Sequence, residues 1–204
     1  PFFMESYNPR YSDTTLTELM IPSYANFGGK IHGGILLSLM DKVAFAASTK
    51  HAGNYCVTVS VDGVEFLQPV EVGELISMMA RVNYVGKTSL VVGIKVTAEN
   101  VKTKTVKHTN TCYFTMVAKD DDEKSTPVPG IILTNSHEVR RFARSITRQN
   151  EGRNRVSRFS GKIFKTKKHS LKTFSLNILE PFEASKSSLV LHSKPPFKIL
   201  YKEK

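Results

Sequence analysis

Asn26, Gly33, Gly34 and Asp41 are the residues of this chain whose types and spacing point to chemistry. They lie in Asn26-Phe27-Gly28-Gly29-Lys30-Ile31-His32-Gly33-Gly34 and in the apolar segment that follows, Ile35 to Gly53. A glycine pair leading directly into a helical pattern leaves the first amide N–H groups without partners inside the helix, and no Cβ keeps a ligand away from them. Developing negative charge is favoured there, and the helix dipole adds to the effect. Asp41 supplies a carboxylate among Leu37, Ala44, Phe45 and Ser48, a setting suited to proton transfer. His32 reads as a residue that supports the loop. A lone aspartate on a helix is also commonly solvated, and Gly33-Gly34 can be a plain turn, so these residues alone leave both readings open.

The element that must position them is a helix. At 100° per residue, Ile35, Leu36, Leu39, Met40, Val43, Ala46 and Ala47 fall within one arc of about 140°, the stripe of a core-facing helix. The side that carries Asp41 is also mostly apolar, so a second covering layer is expected, either another part of the chain or another subunit. Gly53 is placed to cap the C-terminus, with Lys50 and His51 in the last turn set against the dipole.

Around this helix the pattern is one of strands. Thr14 to Pro22 precedes the glycine-rich loop. Tyr55 to Leu67 follows the helix, with Gly63 as a bulge; then come Leu75 to Val85, Ser89 to Ala98 and Thr103 to Val117. Gly86-Lys87-Thr88 joins two of them. A helix apolar on nearly all sides, accompanied by an antiparallel meander, is buried by wrapping the sheet round it, an α+β arrangement. Asp120 to Lys124 is a charged, solvated segment, and Pro127-Val128-Pro129-Gly130 reads as an extended linker. Ser136 is placed to cap a short basic helix from His137 to about Gln149. Four regions result: an extension over 1–9, a domain over 10–120, linker and basic helix over 121–160, and a basic tail over 161–204. The tail is expected to be poorly ordered, with Leu171 to Leu179 and Ser187 to Leu191 as possible short strands.

The net charge of +11 belongs to the C-terminal third. Residues 1–136 hold 12 Lys or Arg and 13 Asp or Glu, whereas residues 137–204 hold 17 and 5. Charge therefore gives no reason to make the front domain a nucleic-acid binder; contact with nucleic acid or an anionic membrane surface would have to come from the tail. No run approaches the roughly 18 apolar residues of a membrane span, and Pro1-Phe2-Phe3-Met4 lacks the regions of a signal peptide, so a cytoplasmic protein is expected. Cys56 and Cys112 sit in apolar alternating segments and read as buried free thiols.

Asn-x-x-Gly-x-Ile-His-Gly-Gly at 26–34, Asp41, Val59-Ser60-Val61-Asp62 with Phe66-x-x-Pro69 and Gly73-Glu74, and Val85-Gly86-Lys87-Thr88-Ser89 together resemble the hotdog-fold acyl-CoA thioesterases, in particular the acyl-CoA hydrolase or cytosolic acyl-CoA thioester hydrolase group. The resemblance runs from about residue 10 to 146; residues 161–204 lie outside it.

The resemblance implies a hotdog fold, in which a curved antiparallel sheet wraps a long central helix, and a homodimer paired across sheet edges and assembling into a trimer of dimers, a hexamer. It implies hydrolysis of acyl-CoA to free fatty acid and CoA at the dimer interface, where Asp41 of one chain faces Asn26 of its partner. Amide N–H groups at Gly33 and Gly34 would polarise the thioester carbonyl, with Asp41 acting as general base or nucleophile. Gly86, Lys87, Thr88 and Ser89 are expected to contact the CoA phosphates, although the same four residues suit an ordinary hairpin turn. No metal and no separate cofactor is called for, since CoA is part of the substrate. Two other readings fit the same fold: a non-catalytic acyl-CoA-binding sensor, which retention of both Asn26 and Asp41 weighs against, and an acyl thioester dehydratase or hydratase, whose flanking proline-rich pattern is absent.

Overall fold

The computed structural model describes residues 5–159, 189–191 and 199–201. Its centre is helix α1, Gly33–Ala52, which lies between strand β2, Thr14–Leu19, and strand β3, Cys56–Asp62. β4 (Leu75–Val85), β5 (Ser89–Asn100) and β6 (Thr105–Ala118) complete an antiparallel five-stranded sheet in the order β2-β4-β5-β6-β3. The helix therefore connects the two edges of the sheet it packs on. Its 20 residues span about 30 Å, more than the roughly 19 Å across five strands, so it can cross the whole face.

Alternation along the strands decides what the helix meets. Ile76, Met78, Ala80 and Val82 of β4, Leu90, Val92, Ile94 and Val96 of β5, and Cys112, Phe114 and Met116 of β6 are buried with Leu36, Leu39, Met40, Val43, Ala44 and Ala47 of α1. The buried arc is rotated by roughly 60° from the expected one: Ala46 is exposed and Ile35 only half-buried, while Ala44 and Ser48 are enclosed. A helix apolar on nearly every side has an ill-defined apolar direction, and packing against β4 settled it. Cys56 and Cys112 are free and buried, and burial pushes the Cys112 thiol up to about 12.

The segments flanking the five-stranded sheet carry structure of their own. Residues 127–130 are no loose linker. Val128 is buried and its N–H donates to the Lys87 carbonyl, the Pro129 carbonyl accepts from His51, and Gly130 opens strand β7, Gly130–Leu133. The extension over 1–9 contains β1, Ser6–Tyr7, paired parallel to β7. From the tail, β8 (Leu189–Leu191) pairs with β7 and β9 (Ile199–Tyr201) with β8, giving a second sheet β1-β7-β8-β9. The segment Ser187 to Leu191 thus holds the strand expected there, whereas Leu171 to Leu179 falls outside the described residues.

Helix α2, Ser136–Phe159, extends past Gln149. Its first turn is capped by Asn135 rather than Ser136: the Asn135 Oδ1 accepts from Glu138 N–H at 3.0 Å, and the buried Glu138 carboxylate reaches back to the Thr134 amide at 2.7 Å. Phe142 packs on Tyr84 with ring centroids 5.1 Å apart, which seats α2 on the outer side of the sheet. Among the described residues no helix is long and apolar enough to cross a membrane.

Candidate active site

Gly34, Leu37, Asp41 and Phe45 follow one another along the exposed side of α1, with Ser38 and Lys42 beside them. Their spacing of three and four residues makes a straight seam on the helix surface. Beside that seam runs β3, an edge strand whose outer side pairs with no other described strand and whose Val59 and Val61 are exposed. A register shift between Thr58 and Ser60 bulges β3 at this point and re-aims its side chains.

The bulge brings Thr58 to Asp41. The Thr58 hydroxyl donates to Asp41 Oδ1 at 2.6 Å, and the second carboxylate oxygen has no recorded partner among the described residues. A cavity of about 310 Å³ is lined by Asp41, Lys42, Phe45, Tyr55, Cys56, Val57 and Thr58. Phe45 and Tyr55 form its apolar wall, with ring centroids 5.7 Å apart. The apolar enclosure expected for Asp41 is not supplied by its own chain, in which the residue is exposed. Thr58 escaped sequence reasoning because a threonine in a strand has no distinctive signal; the bulge next to it is what could have pointed to it.

The loop before α1 is held by its own polar groups. Asn26 Oδ1 accepts from the amides of Gly28 at 2.9 Å and Lys30 at 3.2 Å, and the Asn26 backbone N–H donates to the Lys30 carbonyl at 2.7 Å. With its oxygen occupied, the Asn26 side chain keeps its Nδ2 hydrogens as donors without a recorded partner among the described residues. Phe27, next to it, is fully exposed. Lys30 pairs with Glu71 at 2.6 Å and fixes the far side of the loop.

His32 is the N-cap of α1, and its Nδ1 accepts from the Gly34 amide at 2.9 Å. The expectation that His32 supports the loop agrees with this bond, but the same bond changes the roles of the two glycines. The Gly34 N–H is already engaged, and a Cβ at Gly34 would come within 2.8 Å of the imidazole. Gly33 is the open donor: among the described residues its N–H has no recorded partner, and the Phe66 ring lies 3.3 Å from where a Gly33 Cβ would be. Phe66 therefore roofs the helix N-terminus with an apolar surface.

The Gly86–Ser89 turn is tightly closed. The Gly86 amide donates to the Ser89 carbonyl at 2.7 Å, the Thr88 and Lys87 carbonyls accept from Ala118 and Val128, and the Ser89 hydroxyl accepts from Gln149 at 3.3 Å. Lys87, which is exposed, and the Thr88 hydroxyl have no recorded side-chain partner among the described residues, whereas Gly86 and Ser89 are engaged in closing the turn. Register places this turn at the Asp41 end of the sheet. Ser89 is level with Val117 and Val117 with Val57, next to Thr58, so two strand spacings, about 10 Å, separate the turn from β3 beside the residue that holds Asp41.

Asp41 and the loop donors of the same chain do not meet. Gly33 and Asp41 are eight helical positions apart, which is about 12 Å along the axis. A thioester carbonyl within hydrogen-bond distance of Gly33 therefore lies beyond the reach of the Asp41 carboxylate of that chain.

The model of the thioesterase superfamily matches residues 28–105. The chain is 46% identical over 147 residues to protein VdlD of Helicobacter pylori, covering 72% of this chain and 83% of that protein. It is 30% identical over 155 residues to YkhA of Bacillus subtilis, an uncharacterized acyl-CoA thioester hydrolase, covering 74% and 90% of the two. Among solved structures, an apo-hexameric acyl-CoA thioesterase matches with a TM-score of 0.72 and 31% identity over 76% of this chain and 99% of that one. The acyl-CoA hydrolase of Staphylococcus aureus, solved with butyryl coenzyme A, coenzyme A and coenzyme A disulfide, matches with a TM-score of 0.64 and 27% identity over 75% and 98%. Variants of that hydrolase with alanine in place of one asparagine, one aspartate or one threonine match as well; there the asparagine precedes the aspartate by fifteen positions and the threonine follows it by seventeen. By its likeness to YkhA over most of both chains, and by the helix-on-sheet architecture it shares with these enzymes, this chain belongs to the thioesterase superfamily as a hotdog-fold acyl-CoA thioester hydrolase.

Proposed function

We propose that the chain hydrolyses acyl-CoA to free fatty acid and CoA at a site completed by a second copy, with Asp41 from one chain and Asn26 and Gly33 from the other. The observation that carries this reading is the separation of about 12 Å between Gly33 and Asp41 within one chain, eight helical positions apart. Neither half can perform the reaction alone. The exposed seam Leu37-Asp41-Phe45 and the unpaired edge of β3, with Val59 61% exposed, form the surface on which the second copy docks. Hexameric relatives support a trimer of such dimers.

In the reaction Asp41, oriented by Thr58, takes a proton from water as the water oxygen attacks the thioester carbon. The carbonyl oxygen becomes an oxyanion, met by the Gly33 N–H at the helix N-terminus and by Asn26 Nδ2. Collapse breaks the C–S bond, and the proton passes from Asp41 to the departing thiolate. Lys87 and Thr88 hold the phosphates of CoA, and no cofactor beyond the substrate enters. The intervals between Asn26, Asp41 and Thr58 are fifteen and seventeen positions, the same as between the three residues replaced in the Staphylococcus aureus enzyme, which supports giving the three residues one task.

Thiol release from acetyl- to palmitoyl-CoA, followed for wild type and Asp41→Asn, tests the reading. The expected result is hydrolysis that collapses in the variant while CoA still binds. A wild type that binds acyl-CoA without releasing thiol contradicts it. A single turnover in heavy-oxygen water separates base from nucleophile: label retained in the Asp41 carboxylate would mean that Asp41 attacks directly.

A further inference from the structure

We propose that Phe27 of one copy forms the end wall of the other copy's acyl chamber and so limits the length of acyl chain that is hydrolysed. The inference rests on the shared site proposed above and adds a residue to it. Phe27 is the most exposed large apolar side chain among the described residues. Its own loop fixes it there. Ala25 and Ile31 bridge the base of the loop, the Gly29 N–H donates to the Asn26 carbonyl at 3.0 Å, and Gly29 takes the left-handed φ of 75° that so tight a turn requires. A Cβ at Gly28 would press on the Asn26 side-chain oxygen at 3.3 Å, so the contacts that set Asn26 also set its neighbour. A ring already held in place loses little freedom when it docks, which suits it to burial against another copy.

The surface next to Asp41 has a matching opening. The cavity of about 310 Å³ runs from Asp41 and Thr58 to Phe45 and Tyr55. Those two rings lie one helical turn farther along α1, about 6 Å, and three residues back along β3, about 10 Å. Asp41, Lys42 and Thr58 make the polar end. Phe45 is 39% and Tyr55 60% exposed, so the apolar end stands open in the single chain. An acyl chain whose carbonyl lies beside Asp41 has these two rings to follow.

Symmetry decides what closes that end. Two copies that each bring Gly33 to the other's Asp41 are related by a two-fold axis at the midpoint of the interval, Leu37, and their α1 helices run antiparallel. The start of the second helix then lies over Asp41, and the loop that precedes it lies over the next turn, at Phe45. Asn26 and Phe27 are neighbours in that loop. With Asn26 at the carbonyl, Phe27 is one Cα step away, about 3.8 Å, and its ring comes against Phe45 and Tyr55.

Steady-state kinetics on butyryl-, octanoyl- and palmitoyl-CoA test the proposal. Phe27→Ala should raise the ratio of kcat/KM for palmitoyl- over butyryl-CoA at least about tenfold, the least that one methylene of fit is worth, with the oligomer unchanged by light scattering. In a mixed dimer of Asp41→Asn and Asn26→Ala chains, the intact site takes Asp41 from the second chain and Phe27 from the first. Phe27→Ala added to the Asp41→Asn chain should therefore shift the ratio, and added to the Asn26→Ala chain should leave it in place. A constant ratio in an enzyme that hydrolyses acyl-CoA overturns the inference and leaves the shared site standing. So does a uniform loss of activity with dissociated copies, or a shift that follows the Asn26→Ala chain. A wild type that releases no thiol from any acyl-CoA removes the shared site and this inference together.

Discussion

Along its first thirteen residues α1 leaves Leu37, Asp41 and Phe45 exposed in one line, whereas at its C-terminal end His51 is enclosed on every side. His51 Nε2 donates to the Pro129 carbonyl at 3.2 Å and the Tyr7 ring stands edge-on 5.7 Å away, so the first strand and the 127–130 segment both close over it. One helix thus carries an end completed by its own chain and an end that, in the proposed function, a second copy completes. That proposal assigns stability to the closed end and chemistry to the open one. Replacements at the two ends should therefore separate the two properties.

The largest effect is expected at the open end. Asp41→Asn should lower kcat for acyl-CoA hydrolysis by about 10²–10⁴-fold while the thermal midpoint stays in place, because the side chain is exposed and its one recorded bond is to Thr58. A large fall in the midpoint would show that Asp41 holds the fold together. At the closed end, His51→Ala removes a fully buried ring and its hydrogen bond, and denaturant unfolding should show a loss of about 2–4 kcal/mol with kcat little changed.

The same histidine fixes a pH dependence. Burial lowers the proton affinity of folded His51, and its bonds to the 129–130 backbone only partly oppose this. Its folded pKa lies below the unfolded value near 6.5, so the unfolded chain binds the proton first. Stability is fully present above about pH 6.5 and declines as pH falls through that value toward the folded pKa. Unfolding midpoints across this range should show the decline in wild type and not in His51→Phe.

A smaller change sharpens the open end. Thr58→Val frees one oxygen of Asp41 and should lower kcat by about tenfold, near 1.4 kcal/mol, with KM almost constant. The smallest effect is expected at the helix terminus. Gly53 caps α1 at φ 69° with open space around it, so Gly53→Ala strains only the backbone and should cost about 1 kcal/mol without touching activity.

What was legible in the chain follows the same division. Repeating local signals gave α1, its Gly53 cap and the limits of β4, Leu75–Val85, because period and punctuation reside in neighbouring residues. The closed end was not legible. β1 has two residues and no period, and the pairing of β1 with β7 joins segments more than a hundred positions apart. His51 reads as a dipole-facing cation until the 127–130 segment is seen to cover it, and Asn135 beats Ser136 as cap only because Glu138 reciprocates. At the candidate site the motif residues were visible. The engagement of Gly34 by His32 and the hold of Thr58 on Asp41 depend on side-chain directions that only the folded chain sets.

Subunit complementation tests the shared site most directly. Asp41→Asn and Asn26→Ala, each impaired alone, are mixed under conditions that exchange subunits, and thiol release is followed. In a shared two-fold arrangement each mixed dimer holds one site with both changes and one with neither, so random mixing should restore about a quarter of wild-type activity. Activity that stays at the level of the separate variants after proven exchange would place Asn26 and Asp41 in one chain's site and contradict the account.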